Sequence, residues 1–380
     1  MISFVDDSKY LDELPEFIDC LHTTRHPSWL EIIWNVLWGS ILLRRASFQS
    51  SLFRTDAAAK LIRTVIAHEK PDVVVFNMIR AGQYFNSVGN VKKIFDMDDT
   101  LSVRYKLMLE QKDLKNALGS LGSSLFGSLS FIANNSIIGY LFLYLESSLV
   151  QKEEQNIARN SSATVLVNSI EAQDLAQKIP TKKIVHIPNR VDTSLFVPIK
   201  NRAEENTLVF HGLLTQHHNQ TAIENFLSDV FPLIRSRCED CKVYFIGGGA
   251  SQRLLLKESR GIHFTGYVDD ICSWLSKGKV YVSWILGGSG MKTKILEAMA
   301  LGIPIVTTSH GVHGFPVKNG VHCVISDDPN EFALSVIELL RDEKKRSFIS
   351  KNARELVVRY YDERKVIEQW HHTISSVALE

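Results

Sequence analysis

The pattern of apolar and polar positions divides the chain near its middle. From 207 onward, short apolar runs alternate with longer stretches of helical period. The runs at 207–211, 242–246, 280–284 and 303–307 predict strands. The stretches at 222–237, 292–301, 332–340 and 344–358 place apolar residues every three to four positions and predict helices. Strand–helix alternation of this kind predicts a parallel, doubly wound α/β sheet that binds ligands at the carboxyl ends of its strands. The first half is less regular. Strands are expected at 1–5, 73–76, 93–95, 164–168 and 184–187, a helix at 57–67, and a helical excursion over 101–155.

At 380 residues the chain is long enough for two domains with their own cores. The expected division is 1–190, 197–360 and a last helix over 361–380. A net charge of +1 and ordinary apolar content indicate neither a nucleic-acid partner nor a disordered chain. Five scattered cysteines argue for a reducing compartment, and Cys238-x-x-Cys241 lacks the second pair that a zinc site needs. No metal site is expected. The apolar run 137–145 is shorter than the roughly 20 residues that span a bilayer. The run 32–43 is broken by Asn35, Gly39 and Ser40. Trp29, Trp34 and Trp38, with Arg44 and Arg45 behind them, leave two readings of 28–45: peripheral membrane contact, or internal packing.

The densest chemistry lies in Gly287-Gly288-Ser289-Gly290-Met291-Lys292-Thr293-Lys294-Ile295-Leu296-Glu297, where a glycine-rich loop opens a helix that Gly302 stops. Backbone N–H groups at a helix start carry partial positive charge and receive phosphate, and glycines let it approach. Lys292 and Lys294 add full charges. Glu297 is placed to accept ribose hydroxyls, so the block reads as a nucleoside-diphosphate site. In the first half, Asp96-Met97-Asp98-Asp99-Thr100 follows a predicted strand. It fits three readings: Asp98 contacting a sugar or acceptor hydroxyl, a helix N-cap by Asp99 or Thr100, and the Asp-x-Asp-x-Thr motif of a magnesium-dependent phosphatase of haloacid-dehalogenase type.

The glycine block resembles that of family-four glycosyltransferases (glycosyl transferases group 1), through Gly288, Gly290, Lys294, Leu296 to Ala300, Gly302 and Pro304. Ile187-Pro188-Asn189-Arg190-Val191-Asp192, Phe210-His211-Gly212, Phe245-Ile246-Gly247-Gly248-Gly249 and Phe264-Thr265-Gly266-Tyr267 follow that family's order. Phe4-Val5-Asp6-Asp7 and Phe95-Asp96-Met97-Asp98 resemble its exopolysaccharide subgroup. The resemblance implies two Rossmann-like domains facing across a cleft, the GT-B fold, with 361–380 crossing back to the first domain. The first glycine is Gly39, and the strand ending in Asp6-Asp7 resembles the family's second, so the first strand–loop–helix unit is expected to be missing.

The implied activity is retaining and metal-independent, with no cofactor. A sugar moves from a nucleotide-diphosphate donor to a surface polysaccharide or lipid-linked saccharide, in the cytoplasm or at the cytoplasmic face of the inner membrane. Asp98 and Lys294 are the catalytic candidates. Gly212, Gly288, Ser289, Gly290, Met291, Lys292, Thr293, Lys294, Glu297 and Gly311 are the donor-binding ones. Two departures matter. Ser289 stands where the family's first glutamate touches the donor sugar. The usual arginine and lysine after the first carboxyl-terminal strand are replaced by Leu213-Leu214-Thr215-Gln216-His217-His218-Asn219. There His217 and His218 are expected in a solvated loop, with Asn219 capping the next helix. His313 stands where an acidic residue is common. A degenerate sugar-nucleotide-binding protein without turnover is the alternative, ahead of the phosphatase.

Overall fold

The computed structural model describes residues 1–4, 18–110, 136–199, 202–287 and 291–380. Two compact units result: Met1–His186 together with His371–Glu380, and Ile187–Trp370.

In the first unit β3 (Val73–Asn77), β4 (Lys92–Asp98), β5 (Ala163–Leu166) and β6 (Lys183–His186) form a parallel sheet in that order. Asn77 pairs with Asp96, and the β4–β5 register shifts between Asp96 and Asp98. Phe76, Phe85, Phe95, Tyr105, Leu143, Val150 and Leu166 belong to the core. β1 (Ile2–Phe4) and β2 (His22–Thr24) pair in parallel as a separate two-stranded sheet. Asp6, Asp7 and the middle of the expected 101–155 excursion lie outside the described residues. Its flanks are the helices Leu101–Glu110 and Ser136–Asn160.

The long helix Ser136–Asn160 buries three carboxylates that cap other helices. Glu146 accepts from the backbone N–H of Phe48 at 2.8 Å and of Gln49 at 2.9 Å, and Glu153 from that of Ser47 at 2.8 Å. These are the orphan donors at the start of the Phe48–Ser51 helix. Glu154 accepts from Ser102, at 3.1 Å from its N–H and 2.6 Å from its hydroxyl, in the first turn of Leu101–Glu110. Burial pushes Glu146 and Glu154 up to about 7.

The second unit holds six parallel strands: β7 (Thr207–His211), β8 (Lys242–Ile246), β9 (Ile262–Phe264), β10 (Val280–Ser283), β11 (Ile305–Thr307) and β12 (Val324–Ile325). Their order is β12-β11-β10-β7-β8-β9. The winding reverses between β7 and β10, both buried along their whole length, as expected for strands covered on two faces. That reversal is where open α/β sheets bind ligands.

Two helices differ from expectation. The helix expected over 222–237 starts earlier, at His217–Asn225, then passes through a π-helical turn, Phe226–Val230, into Phe231–Arg235. Pro232 has no N–H to give, which breaks the regular ladder there. The tryptophan segment is helical over Trp29–Trp34 and π-helical over Asn35–Leu42. Trp29, Leu30, Trp34, Leu37 and Leu42 each remain more than half exposed. Among the described residues no helix is long and apolar enough to cross a membrane.

Candidate functional site

The carboxyl ends of β7 and β10 gather most of the described donor-binding candidates. The helix Thr293–Ala300 starts beside them. Its N-cap, Lys292, supplies no side-chain acceptor for the first-turn N–H groups. Gly288, Ser289 and Gly290 lie outside the described residues. Met291 is buried just before the helix, and Thr293 is exposed at its first position.

Lys294 turns inward from the first turn, although lysine rarely buries without a partner. Its Nζ donates to Asn219 Oδ1 and lies 4.9 Å from the centroid of the Phe210 ring. Gly212 makes room for it: a Cβ there would stand 2.9 Å from Asn219 Nδ2 and 3.2 Å from Lys294 Nζ. Burial, and next the charge of Lys292, push Lys294 down to about 7, against the opposing pull of Glu297. A lysine so desolvated gains charge and donor partners when an anion arrives.

Asn219 corrects the sequence expectation. It is not a helix cap. Gln216 holds that position, and Asn219 is buried inside the first turn of His217–Asn225. Its Nδ2 donates to Leu213 O at 2.8 Å while its Oδ1 takes Lys294, so the side chain ties the Leu213–Gln216 turn to the lysine. His217 and His218 are exposed as expected, but as helical residues. Where the resemblance leads to an arginine and a lysine after this strand, the chain places an amide that holds a lysine from another helix.

Glu297, one turn deeper, meets the imidazole of His211 at the end of β7, Nε2 to Oε2 at 2.5 Å. Sequence reasoning missed this pair, since the two residues lie 86 positions apart. Glu297 also keeps part of its side chain at the surface, 28% exposed against 7% for His211. Gly311 lies past β11 on the same rim, where a Cβ would come within 2.2 Å of Thr307 Oγ1. Its N–H donates to Thr308 Oγ1 at 3.0 Å, and that hydroxyl donates to Ile285 O. His313 is exposed beside it.

In the first unit, the end of β4 carries Asp96, Asp98 and Asp99. Asp96 accepts from Asn77 Nδ2 at 2.9 Å. Asp98 adopts a left-handed backbone, φ 63°, and so does Met78, which follows Asn77 at the end of β3. Such conformations cost free energy in non-glycine residues and concentrate at functional sites. Burial first, then the charges of Asp99 and Asp96, push Asp98 up to about 6, against Arg104. Asp99 is paired with Arg104. Among the described residues no three His, Cys, Asp or Glu side chains are arranged to hold a metal ion.

Comparisons with known proteins agree with this architecture. Residues 205–342 match the family described as Glycosyl transferases group 1. A 44.6 kDa protein of the cps region of Klebsiella pneumoniae, uncharacterized, is 26% identical over 170 residues, which is 42% of this chain and 43% of that protein. The phosphatidyl-myo-inositol mannosyltransferase of Mycobacterium leprae is 24% identical over 229 residues, 56% of this chain and 60% of that one. The chain thus spans about half the length of these curated relatives. Among solved structures, Anabaena HepE in complex with UDP superposes with a TM-score of 0.61 at 14% identity, over 94% of this chain and 86% of that one. The sucrose-phosphate synthase of Thermosynechococcus elongatus gives 0.62 at 16% identity, over 84% and 77%. The chain has the two Rossmann-like domains of the GT-B fold, and its residues 205–342 are similar to the glycosyl transferases group 1 family.

Proposed function

We propose that the protein transfers a sugar from a nucleotide-diphosphate donor to a saccharide of a surface polysaccharide or its lipid-linked precursor. The observation that carries this reading is the buried ammonium of Lys294, held by Asn219 against Gly212 at the reversal of the sheet. Asn219 Oδ1 is its only hydrogen-bond acceptor among the described residues, so the ammonium has donors left for a diphosphate. With the open helix start and Lys292, it would stabilise the charge that collects on the leaving diphosphate. HepE has been solved with UDP and with UDP-glucose, which supports a nucleotide-sugar donor.

The reaction breaks the bond between the anomeric carbon and the diphosphate oxygen. The acceptor oxygen bonds to that carbon, and its hydroxyl proton passes to the departing nucleoside diphosphate. We read the transfer as retaining, with the lysines and helix start in place of a metal ion and with no cofactor. Asp98 would hydrogen-bond an acceptor or sugar hydroxyl in the first unit.

The reading includes peripheral membrane contact through 28–45, at the cytoplasmic face. Its support is the exposed Trp29, Trp34 and Trp38 beside the exposed Arg44 and Arg45, while the acidic Glu31 of this segment is held by Arg25 at 2.7 Å. Flotation with anionic vesicles tests that part, and equal flotation of Trp34→Ser/Trp38→Ser would remove it. The main test is calorimetric titration of UDP, GDP and ADP with EDTA present. One of them should bind, and Lys294→Met should weaken it by about tenfold or more. Binding that requires magnesium, or no binding by any of them, would defeat the proposal. Product anomeric configuration, read by NMR, decides retention.

A further inference from the structure

The His211–Glu297 pair has a role beyond packing. We infer that His211 is a positioning residue that fixes the carboxylate of Glu297 for ribose hydroxyls, so that the site selects ribonucleoside over deoxyribonucleoside diphosphates. The inference rests on the donor-site reading above and adds to it the residue that sets the sugar preference of the nucleotide.

The geometry has four parts. First, His211 closes β7, every residue of which is buried, so its ring is placed by the sheet and not by solvent. Second, the ring stands edge-on to the buried Tyr281 of β10, with centroids 5.6 Å apart and planes at 74°. Third, Nε2 lies 2.5 Å from Glu297 Oε2, while the buried Nδ1 has no hydrogen-bond partner among the described residues. A proton on Nδ1 would leave a buried N–H unpaired, so the arrangement favours the tautomer in which Nε2–H donates to the carboxylate. Fourth, Glu297 Oε1 has no hydrogen-bond partner among the described residues, and the side chain is the more exposed of the two.

A carboxylate on a helix surface otherwise samples several rotamers. Tying one oxygen to a buried imidazole leaves one orientation for the other, and the ordering cost is met before ligand arrives. Vicinal ribose hydroxyls then find a fixed acceptor. A nucleotide without the hydroxyl leaves that acceptor unpaired on binding, which is how such sites reject the analogue. Lys294, one turn away, is tied to Asn219 and not to Glu297, so the diphosphate and ribose contacts rest on separate supports.

The experiment titrates matched ribo- and 2′-deoxyribonucleoside diphosphates (UDP, GDP and ADP with their deoxy forms) into the full chain in EDTA. Wild type should bind the preferred ribonucleotide about tenfold or more tighter than its deoxy form. His211→Phe, which keeps a buried ring without the donor, should lose most of that preference by weakening the ribonucleotide alone. His211→Asn, whose amide stops short of Glu297, should do the same if the phenylalanine variant does not fold. His211→Gln, with a donor at the reach of Nε2, should recover most of the preference. Equal weakening of both nucleotides in the loss variants would show a purely structural histidine and overturn the inference. So would a preference that survives them. If wild type binds none of the nucleotides, the donor-site reading fails first, and the inference with it.

Discussion

At the end of β7 Gly212 stands beside the buried ammonium of Lys294, and His211 meets Glu297. At the end of β4, in the other unit, stand Asp96, Asp98 and Asp99 on a left-handed bend. Both sheets are parallel, and both rims use burial to unsettle a charge. Burial moves Lys294 down to about 7 and Asp98 up to about 6, so each is held near the point where it changes charge at neutral pH. The difference lies in what each rim can receive. On the proposed function, the lysine rim would be completed by an anion, which restores the lost charge, and the aspartate rim by a hydroxyl, which gives the carboxylate a donor. The same physics therefore supports a donor site in one unit and an acceptor contact in the other.

The largest effect that would break this comparison is expected at the lysine rim. Lys294→Met should reduce turnover by about 10²–10³-fold, the range seen when one charge-stabilising donor is lost. The fold should survive, because methionine fills the volume of a buried lysine stem without its charge. Unchanged turnover in a folded variant would break the comparison at once.

Asp98→Asn sharpens it from the other side. Asparagine tolerates the left-handed backbone, so the bend should persist. Turnover should fall by about tenfold or more, as for the loss of one hydrogen bond to a charged group, while nucleotide affinity stays at the wild-type value. The folded-state pKa of Asp98 is raised from 3.8 to about 6, so its contribution to stability is fully present below about 3.8 and is lost as pH rises through about 6. The variant should therefore melt higher than wild type at pH 7 to 8, where the buried charge no longer has to form. A lower melting temperature there would remove the strain argument.

A smaller effect belongs to the first unit's scaffold. Glu146→Ala leaves the N–H groups of Phe48 and Gln49 without their buried acceptor and should cost about 1–3 kcal/mol in denaturant unfolding. Glu146 and Glu154 are raised from 4.5 to about 7, so what they contribute is present below about 4.5 and is lost as pH rises through about 7. The first unfolding transition should fall between pH 5.5 and pH 8. A transition that rises over that range would show that other groups dominate.

Particular residues show how much of this was legible in the sequence. The strand over 242–246 was read with its exact bounds, because isolated apolar runs bounded by polar and glycine residues have few other uses. The strand 207–211 was read equally well. The donor helix was placed within a residue at each end, since glycine and lysine mark its start and Gly302 its stop. The Asn219 assignment failed because its local rule, amide before a helix, competed with a contact to Lys294 that lies 75 residues away. The His211–Glu297 pair was invisible for the same reason: spacing along the chain carries no signal for it. The π-helical turns at 35–42 and 226–230 escaped because periodicity over a long window averages them out.

The central claim is that Lys294 is the cation that meets the donor diphosphate. Since burial holds it down to about 7, a bound diphosphate must raise it, and binding near pH 8 must take up a proton. The direct measurement is calorimetric titration of the preferred nucleoside diphosphate at pH 8, with EDTA, in two buffers of different ionisation enthalpy. The account predicts uptake of a substantial fraction of one proton by wild type and almost none by Lys294→Met, together with affinity that strengthens as pH falls toward 7. Equal affinity and equal proton uptake in the two proteins would contradict it.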